Sequence, residues 1–365
     1  MKHTRTDLIQ MQSLPLESKV LMTERRIAEW IERFGEDGVY VSFSGGKDST
    51  VLLHMVRRLY PNVPAVFVDT GLEYPEIREF VKTIDDVVWL RPKMNFKKVI
   101  EKYGYPFFSK EISESIADSR RYINNLTNEQ KNELKEALKT ESIPAEIMQA
   151  PVRVKQLLGV KCKNFGKMYD KSRYLFMADA PFDVSNKCCY VMKKYPLYKY
   201  NNETGRKAFI ATMAYESKMR TAGWMKNGCN AFNGKYPSSK PMSFWTEQDV
   251  FLYIKENNLP ICSVYGDIAV DYERMEQYEN QMSLYDYGIS ESGRPLLKTT
   301  GADRTGCMFC GFGCHLEKSP NRFERMKETH PKQYEYIMKP TADGGLGYKN
   351  VIDWINENGK MNIKY

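Results

Sequence analysis

At 365 residues the chain is long enough for one large domain with additions, or for two domains. Its 42% hydrophobic and 27% charged content is ordinary for a globular protein, and no apolar run nears the about 20 residues that cross a bilayer, which excludes a membrane span. The first residues, Met1-Lys2-His3-Thr4-Arg5-Thr6-Asp7, lack the apolar core of a secretory signal, so a cytoplasmic protein with no membrane partner is expected. The net charge of +8 favours an anionic partner only mildly. An adenine nucleotide alone would account for local positive charge, and nucleic acid stays open as a partner. The 24 tyrosines are read chiefly as core, with base stacking as the alternative.

Residues 15–36 read as an amphipathic helix, with Leu21, Ile27, Ala28 and Trp30-Ile31 at near-helical intervals among charges. The apolar run Val39-Tyr40-Val41-Ser42-Phe43 predicts a strand. It leads into Ser44-Gly45-Gly46-Lys47-Asp48-Ser49 and then a helix over about 49–60. Two glycines remove side chains that would keep an anion off the backbone. Ser44 and Ser49 add hydroxyls, Lys47 adds a charge, and the opening helix points unpaired N–H groups and its positive end at the same spot. Such a turn holds a phosphate or pyrophosphate. Its spacing is not the G-x-x-x-x-G-K-[ST] of Walker-type NTPases. It resembles instead the S-G-G-x-D-S pyrophosphate loop of the adenine-nucleotide alpha-hydrolase superfamily.

Val63–Val68 predicts a second strand, ending in Asp69-Thr70-Gly71-Leu72-Glu73-Tyr74-Pro75-Glu76, and Val87–Leu90 a third. Strand, helix and strand with a functional first turn imply a parallel, doubly wound sheet with ligands at the strands' carboxyl ends, where Asp69 lands. The alternative for Asp69 is an ordinary helix N-cap. Residues 119–154 turn polar and helical and read as an insertion or lid. Ala208–Met213 predicts a further strand, followed by a turn carrying Lys218 and Arg220 beside the expected nucleotide site. Residues 244–259 predict a helix with Thr246 as N-cap and Asp249 at the third position of a capping box.

Eight cysteines in such a chain argue for metal or redox chemistry over a disulfide framework. Five cluster, as Cys188-Cys189 and as Cys307, Cys310 and Cys314, while Cys162, Cys229 and Cys262 stand apart. Four thiolates suit structural zinc. They equally suit an iron–sulfur cluster, with Gly306, Gly311 and Gly313 exposing N–H groups to sulfide. Spacing alone leaves both open.

Lys187-Cys188-Cys189 followed by Lys193, Lys194 and Pro196-Leu197 resembles the Cys-Cys segment of cluster-containing sulfonucleotide (PAPS) reductases. So do Asp69-Thr70-Gly71 with Glu73, Pro75 and Glu76; Trp245-Thr246 with Asp249-Val250, Tyr253-Ile254, Leu259-Pro260 and Val264-Tyr265; and Thr305-Gly306-Cys307-Met308-Phe309-Cys310. The resemblance runs in family order from about residue 38 to 314. It implies a Rossmann-like α/β fold, with an N-terminal helical segment (1–36), a nucleotide-binding domain (37–267) containing the helical insertion, and a cysteine-containing C-terminal extension (268–365). It also favours a 4Fe–4S cluster over zinc and assigns Cys188, Cys189, Cys307 and Cys310 to it, leaving Cys314 as an extra competitor.

The sequence departs from the reductases in two ways. It lacks their C-terminal Glu-Cys-Gly-Leu-His nucleophile segment, with no cysteine after Cys314, and its phosphate loop keeps both glycines, Lys47 and Asp48. In both respects it resembles the ATP-using, cluster-bearing relatives that install sulfur. The first expectation is therefore an ATP-dependent sulfurtransferase that adenylylates its substrate and releases pyrophosphate. Ser44, Gly45, Gly46, Lys47 and Ser49 would hold pyrophosphate, Asp48 would help hold Mg²⁺, Asp69 would position ribose or metal, and Lys218 and Arg220 would counter phosphate charge; Lys47, Asp48 and Asp69 form the catalytic set. A sulfonucleotide reductase, with Cys229 or Cys262 as nucleophile, is the alternative. A non-catalytic nucleotide-binding subunit is the third reading. The sulfur donor, any homo-oligomer and any partner subunit lie beyond the sequence.

Overall fold

The computed structural model describes residues 3–140, 150–159, 170–274 and 295–365. Cys162 lies outside them. The chain divides into two compact units, one of Met1–Pro92 with Lys193–Gly306, the other of Lys93–Met192 with Cys307–Tyr365. Each unit is closed by two stretches distant in sequence.

The first unit is built on a six-stranded sheet. Its strands run in the order Val87–Leu90, Ala65–Val68, Val39–Ser42, Lys207–Ile210, Ser238–Ser239, Asn230–Ala231. All neighbours are parallel except the last pair. Val39–Ser42 is central because it is buried on both faces: Val39 and Val41 face the main core, while Tyr40 packs with Val66 and Ala208 on the other side. Val41 stands opposite Ala65 on one flank and Phe209 on the other. The chain winds outward from this strand in both directions, which makes its carboxyl end the switch point where ligands bind in doubly wound sheets.

Helix Leu16–Phe34 buries Ile27, Trp30 and Ile31 in that core. It also buries Lys19, whose ammonium sits 2.8 Å from both carboxylate oxygens of Asp249. Thr246 and Asp249 form the expected capping box at the start of helix Glu247–Glu256. One carboxylate thus caps its own helix and neutralises a cation from another. Thr23 links the same two regions, accepting a 2.8 Å hydrogen bond from the Trp245 indole.

The second unit is largely helical. Lys110–Asn124 packs on Val152–Leu157, with Asn128–Thr140 between them in sequence. Helices Arg322–Thr329, Pro331–Met338 and Tyr348–Gly359 complete it, and a two-residue parallel pairing joins Phe107–Phe108 to Gly311–Phe312. The described part of residues 119–154 is helical as expected, but Lys110–Asn124 begins well before 119, so the sheet-breaking element is longer than composition suggested.

Candidate functional site

The glycine turn sits where strand Val39–Ser42 ends and helix Lys47–Leu59 begins. Gly45 has φ +71°, which a side chain would strain, and a β-carbon there would lie 2.8 Å from Ile77 and 2.9 Å from Val81. Ser44 and Ser49 bridge the turn, their hydroxyl oxygens 3.0 Å apart, while Ser49 donates to the Gly46 carbonyl at 2.9 Å. Beside the turn, a pocket opens at the carboxyl ends of two adjacent strands. Ser44, Val68, Glu73, Lys193, Thr305 and Gly306 are among its lining.

Lys47 does not extend into that pocket. Its ammonium is buried, 3.1 Å from Glu247 and 3.0 Å from the Asp303 carbonyl, between the rings of Phe251 and Tyr265. Asp48 lies next to it, with the nearer oxygen 3.9 Å from Lys47 Nζ and no hydrogen-bond partner. Burial raises the Asp48 carboxyl above its ordinary range, Lys47 opposes this, and the charges of Glu216 and Glu247 add to the rise.

That shift sets a pH dependence. With its folded pKa above the unfolded 3.8, Asp48 binds its proton more firmly in the native state. Stability therefore falls as pH rises from the unfolded value through the folded one. Asp48→Asn is expected to be more stable than the wild type at neutral pH and to match it at pH 3. Chemical denaturation at both pH values measures this, and an Asn variant less stable at pH 7 would refute it.

Asp69 is buried at the end of the second strand, as expected, but is not a helix N-cap; Tyr74 holds that place for helix Pro75–Lys82. Its carboxylate accepts from Arg78 at 2.9 Å, with Arg91 at 3.6 Å. Four residues on, Glu73 accepts from the Thr70 hydroxyl and amide and lies 3.6 Å from Lys193. Lys218 is exposed in the first turn of its helix, and Arg220 is paired with Glu216, so neither lines the pocket. Sequence reasoning quoted Lys193 and Thr305 only as parts of motifs. Lys193, four residues after Cys189, and Thr305, two before Cys307, flank the cysteine pairs, and that was the available signal.

In the second unit Cys188 and Cys189 lie on the helical turn Lys187–Cys189, which runs into the wide turn Tyr190–Lys194. The two side chains are thus not opposed as they would be on an extended strand. A hydrogen bond to Cys189 and burial push the Cys188 thiol well up, with further contributions from Cys189, Cys310 and Cys307. Cys314 is fully buried, its thiol pushed up to about 12 by burial against the pull of Arg322; Cys310 is the one cysteine that contributes. Cys188, Cys189, Cys307 and Cys310 thus lie near enough to influence one another's charge, and Cys314 is influenced by Cys310. Thiols of this kind are the donors that a thiolate-bound centre would use. Among the described residues, however, no three His, Cys, Asp or Glu side chains are arranged to hold a metal ion. Cys229 and Cys262 are buried in the first unit, and burial raises both thiols, Cys229 to about 11.

No helix among the described residues is long and apolar enough to cross a membrane. The most similar curated relatives include a phosphoadenosine 5'-phosphosulfate reductase of Xylella fastidiosa, 34% identical over 87 residues, covering 24% of this chain and 35% of the relative. An uncharacterised protein of Methanocaldococcus jannaschii is 37% identical over 73 residues, covering 19% of this chain and 18% of its own. The chain thus spans about a third or less of the length of these relatives. A solved phosphoadenylyl-sulfate reductase from Candida auris, in complex with phosphate, is similar over 69% of this chain and 88% of its own at 12% identity and TM-score 0.36. Residues 38–112 and 137–311, well over half of the sequence, match the phosphoadenosine phosphosulfate reductase domain. That match takes in the glycine turn, Asp69, Lys193, Thr305 and four of the five clustered cysteines, and by it the chain belongs to the phosphoadenosine phosphosulfate reductase domain family.

Proposed function

We propose that this protein binds an adenine nucleotide at the glycine turn and performs sulfur chemistry at its phosphate end, with reduction of an adenylylated sulfate as the leading reading. The observation that carries it is the pocket itself, in which Ser44, Lys193 and Thr305 converge at the carboxyl end of the central strand. The named relatives support the reductive step. In that step two electrons from a thiol reductant convert the sulfate sulfur to sulfite, its bond to the phosphate oxygen breaks, and the nucleotide leaves.

One observation favours a second reading. Cys229 and Cys262, the nucleophiles available to a reductase in the first unit, are buried and held protonated. In the ATP-dependent reading no protein thiol need attack sulfur. A substrate oxygen attacks the α-phosphorus, pyrophosphate departs, and sulfide then displaces AMP. Asp48, with an unpartnered oxygen, is the residue suited to Mg²⁺. Full-length protein prepared without oxygen should distinguish the two. Sulfite from an adenylylated sulfate with a dithiol reductant supports the first, and pyrophosphate from ATP supports the second. Neither product would leave only a nucleotide-binding subunit.

Cys188, Cys189, Cys307 and Cys310 are proposed to hold a 4Fe–4S cluster, with zinc as the alternative. Such a cluster would supply electron transfer or a sulfur-binding iron. Cys188→Ser is expected to lose most of the iron, and Cys314→Ser to keep about four irons per chain. Iron analysis of both variants reads this out. Full iron in Cys188→Ser with loss in Cys314→Ser would exchange their roles, and stoichiometric zinc without iron would replace the cluster.

A further inference from the structure

Tyr265 lies more than two hundred residues from the glycine turn in sequence, yet its phenol is built into it. The Lys47 amide donates to the Tyr265 hydroxyl at 3.2 Å, and that hydroxyl is 2.6 Å from the Thr305 hydroxyl. The Lys47 ammonium lies 5.5 Å from the centre of the same ring. A β-carbon on Gly46 would sit 3.1 Å from the phenol oxygen and 3.2 Å from Thr305 Oγ1. Gly46 is therefore small for two reasons: to bare the backbone to an anion, and to admit this hydroxyl pair.

We propose that Tyr265 is a positioning residue for the phosphate site, setting the donor direction of Thr305, which touches the ligand. The inference rests on the nucleotide reading of the pocket. The phenol has one hydrogen, and it already accepts from Lys47. A buried phenol must place that hydrogen on an acceptor, and among the described residues Thr305 is the hydroxyl shown beside it, so the hydrogen is assigned to Thr305. Burial keeps that proton in place, pushing the phenol up to about 12. Thr305 accepts it, which leaves its own hydrogen free to be donated, and Thr305 lines the pocket. A hydroxyl otherwise free to rotate is thereby held as a donor to an anion. The phenol also occupies an amide at the start of helix Lys47–Leu59, so the turn keeps its shape before an anion arrives.

The test measures dissociation constants of pyrophosphate and ATP by calorimetry on full-length protein. Tyr265→Phe and Thr305→Val should each weaken binding about tenfold, the scale of one hydrogen bond to a charged group. Because they act through one hydroxyl, the double variant should bind no worse than the weaker single. Thr305→Ser should bind as the wild type does. A packing role alone would lower the unfolding temperature of Tyr265→Phe with unchanged affinity, and this result would overturn the inference. Additive losses in the double variant would overturn it too. Failure of the wild type to bind either ligand would instead overturn the nucleotide reading, and this inference with it.

Discussion

Asp249→Ala should lower the unfolding free energy by about 4 kcal/mol, the scale of breaking a buried ion pair from one side. The pair is nearly sealed from water, with both side chains under a tenth exposed. Removing the carboxylate leaves the Lys19 ammonium without its partner, and it also strips the amide and hydroxyl of Thr246 of their acceptor. Replacing the pair as Lys19→Met with Asp249→Asn should cost far less, because no buried charge is then orphaned and the cap keeps an acceptor. Denaturant unfolding of the single and double variants measures the difference. A loss below 1 kcal/mol in Asp249→Ala would mean that the pair does not tie helix Leu16–Phe34 to helix Glu247–Glu256.

Gly45→Ala should cost about 3 kcal/mol of stability and most of the nucleotide affinity. Two terms add: about 1 kcal/mol for a side chain in the left-handed region, and roughly 2 kcal/mol for overpacking. The second term arises because Ile77 and Val81 are themselves fully buried, so neither can move aside. The turn must then lift away from helix Pro75–Lys82, and the proposed phosphate site is distorted with it. Gly35→Ala supplies the control. Its φ is +76°, but nothing lies within 4 Å of the added carbon, so it should show the conformational term alone and leave nucleotide binding unchanged. Equal stability losses in the two variants would show that crowding at Gly45 is not felt.

The elements around the turn were legible because their signals are local. Strand Val87–Leu90 was read to the residue, and the capping box at Thr246 and Asp249 was read from three-residue spacing. The glycine turn was legible for the same reason, since a strand, two glycines and a helix start are contiguous. Tertiary structure alone decided what the charged residues of that turn do. Lys47 reads in sequence as a phosphate ligand, but Glu247 and the Asp303 carbonyl hold it beneath the turn. Arg220 reads as a countercharge for phosphate, but Glu216 takes it. Nor could spacing reveal that Lys19 meets Asp249 or that Tyr265 reaches the Lys47 amide, because each contact spans more than two hundred residues. Composition and periodicity act over a few residues, whereas the partner of a buried charge or hydroxyl is set by which strands lie side by side. By itself the sequence therefore determined the sheet, the glycine turn and the cysteine groups. Only the folded chain decided which charges those features leave for a ligand, since a buried cation must find its carboxylate wherever the packing has placed one.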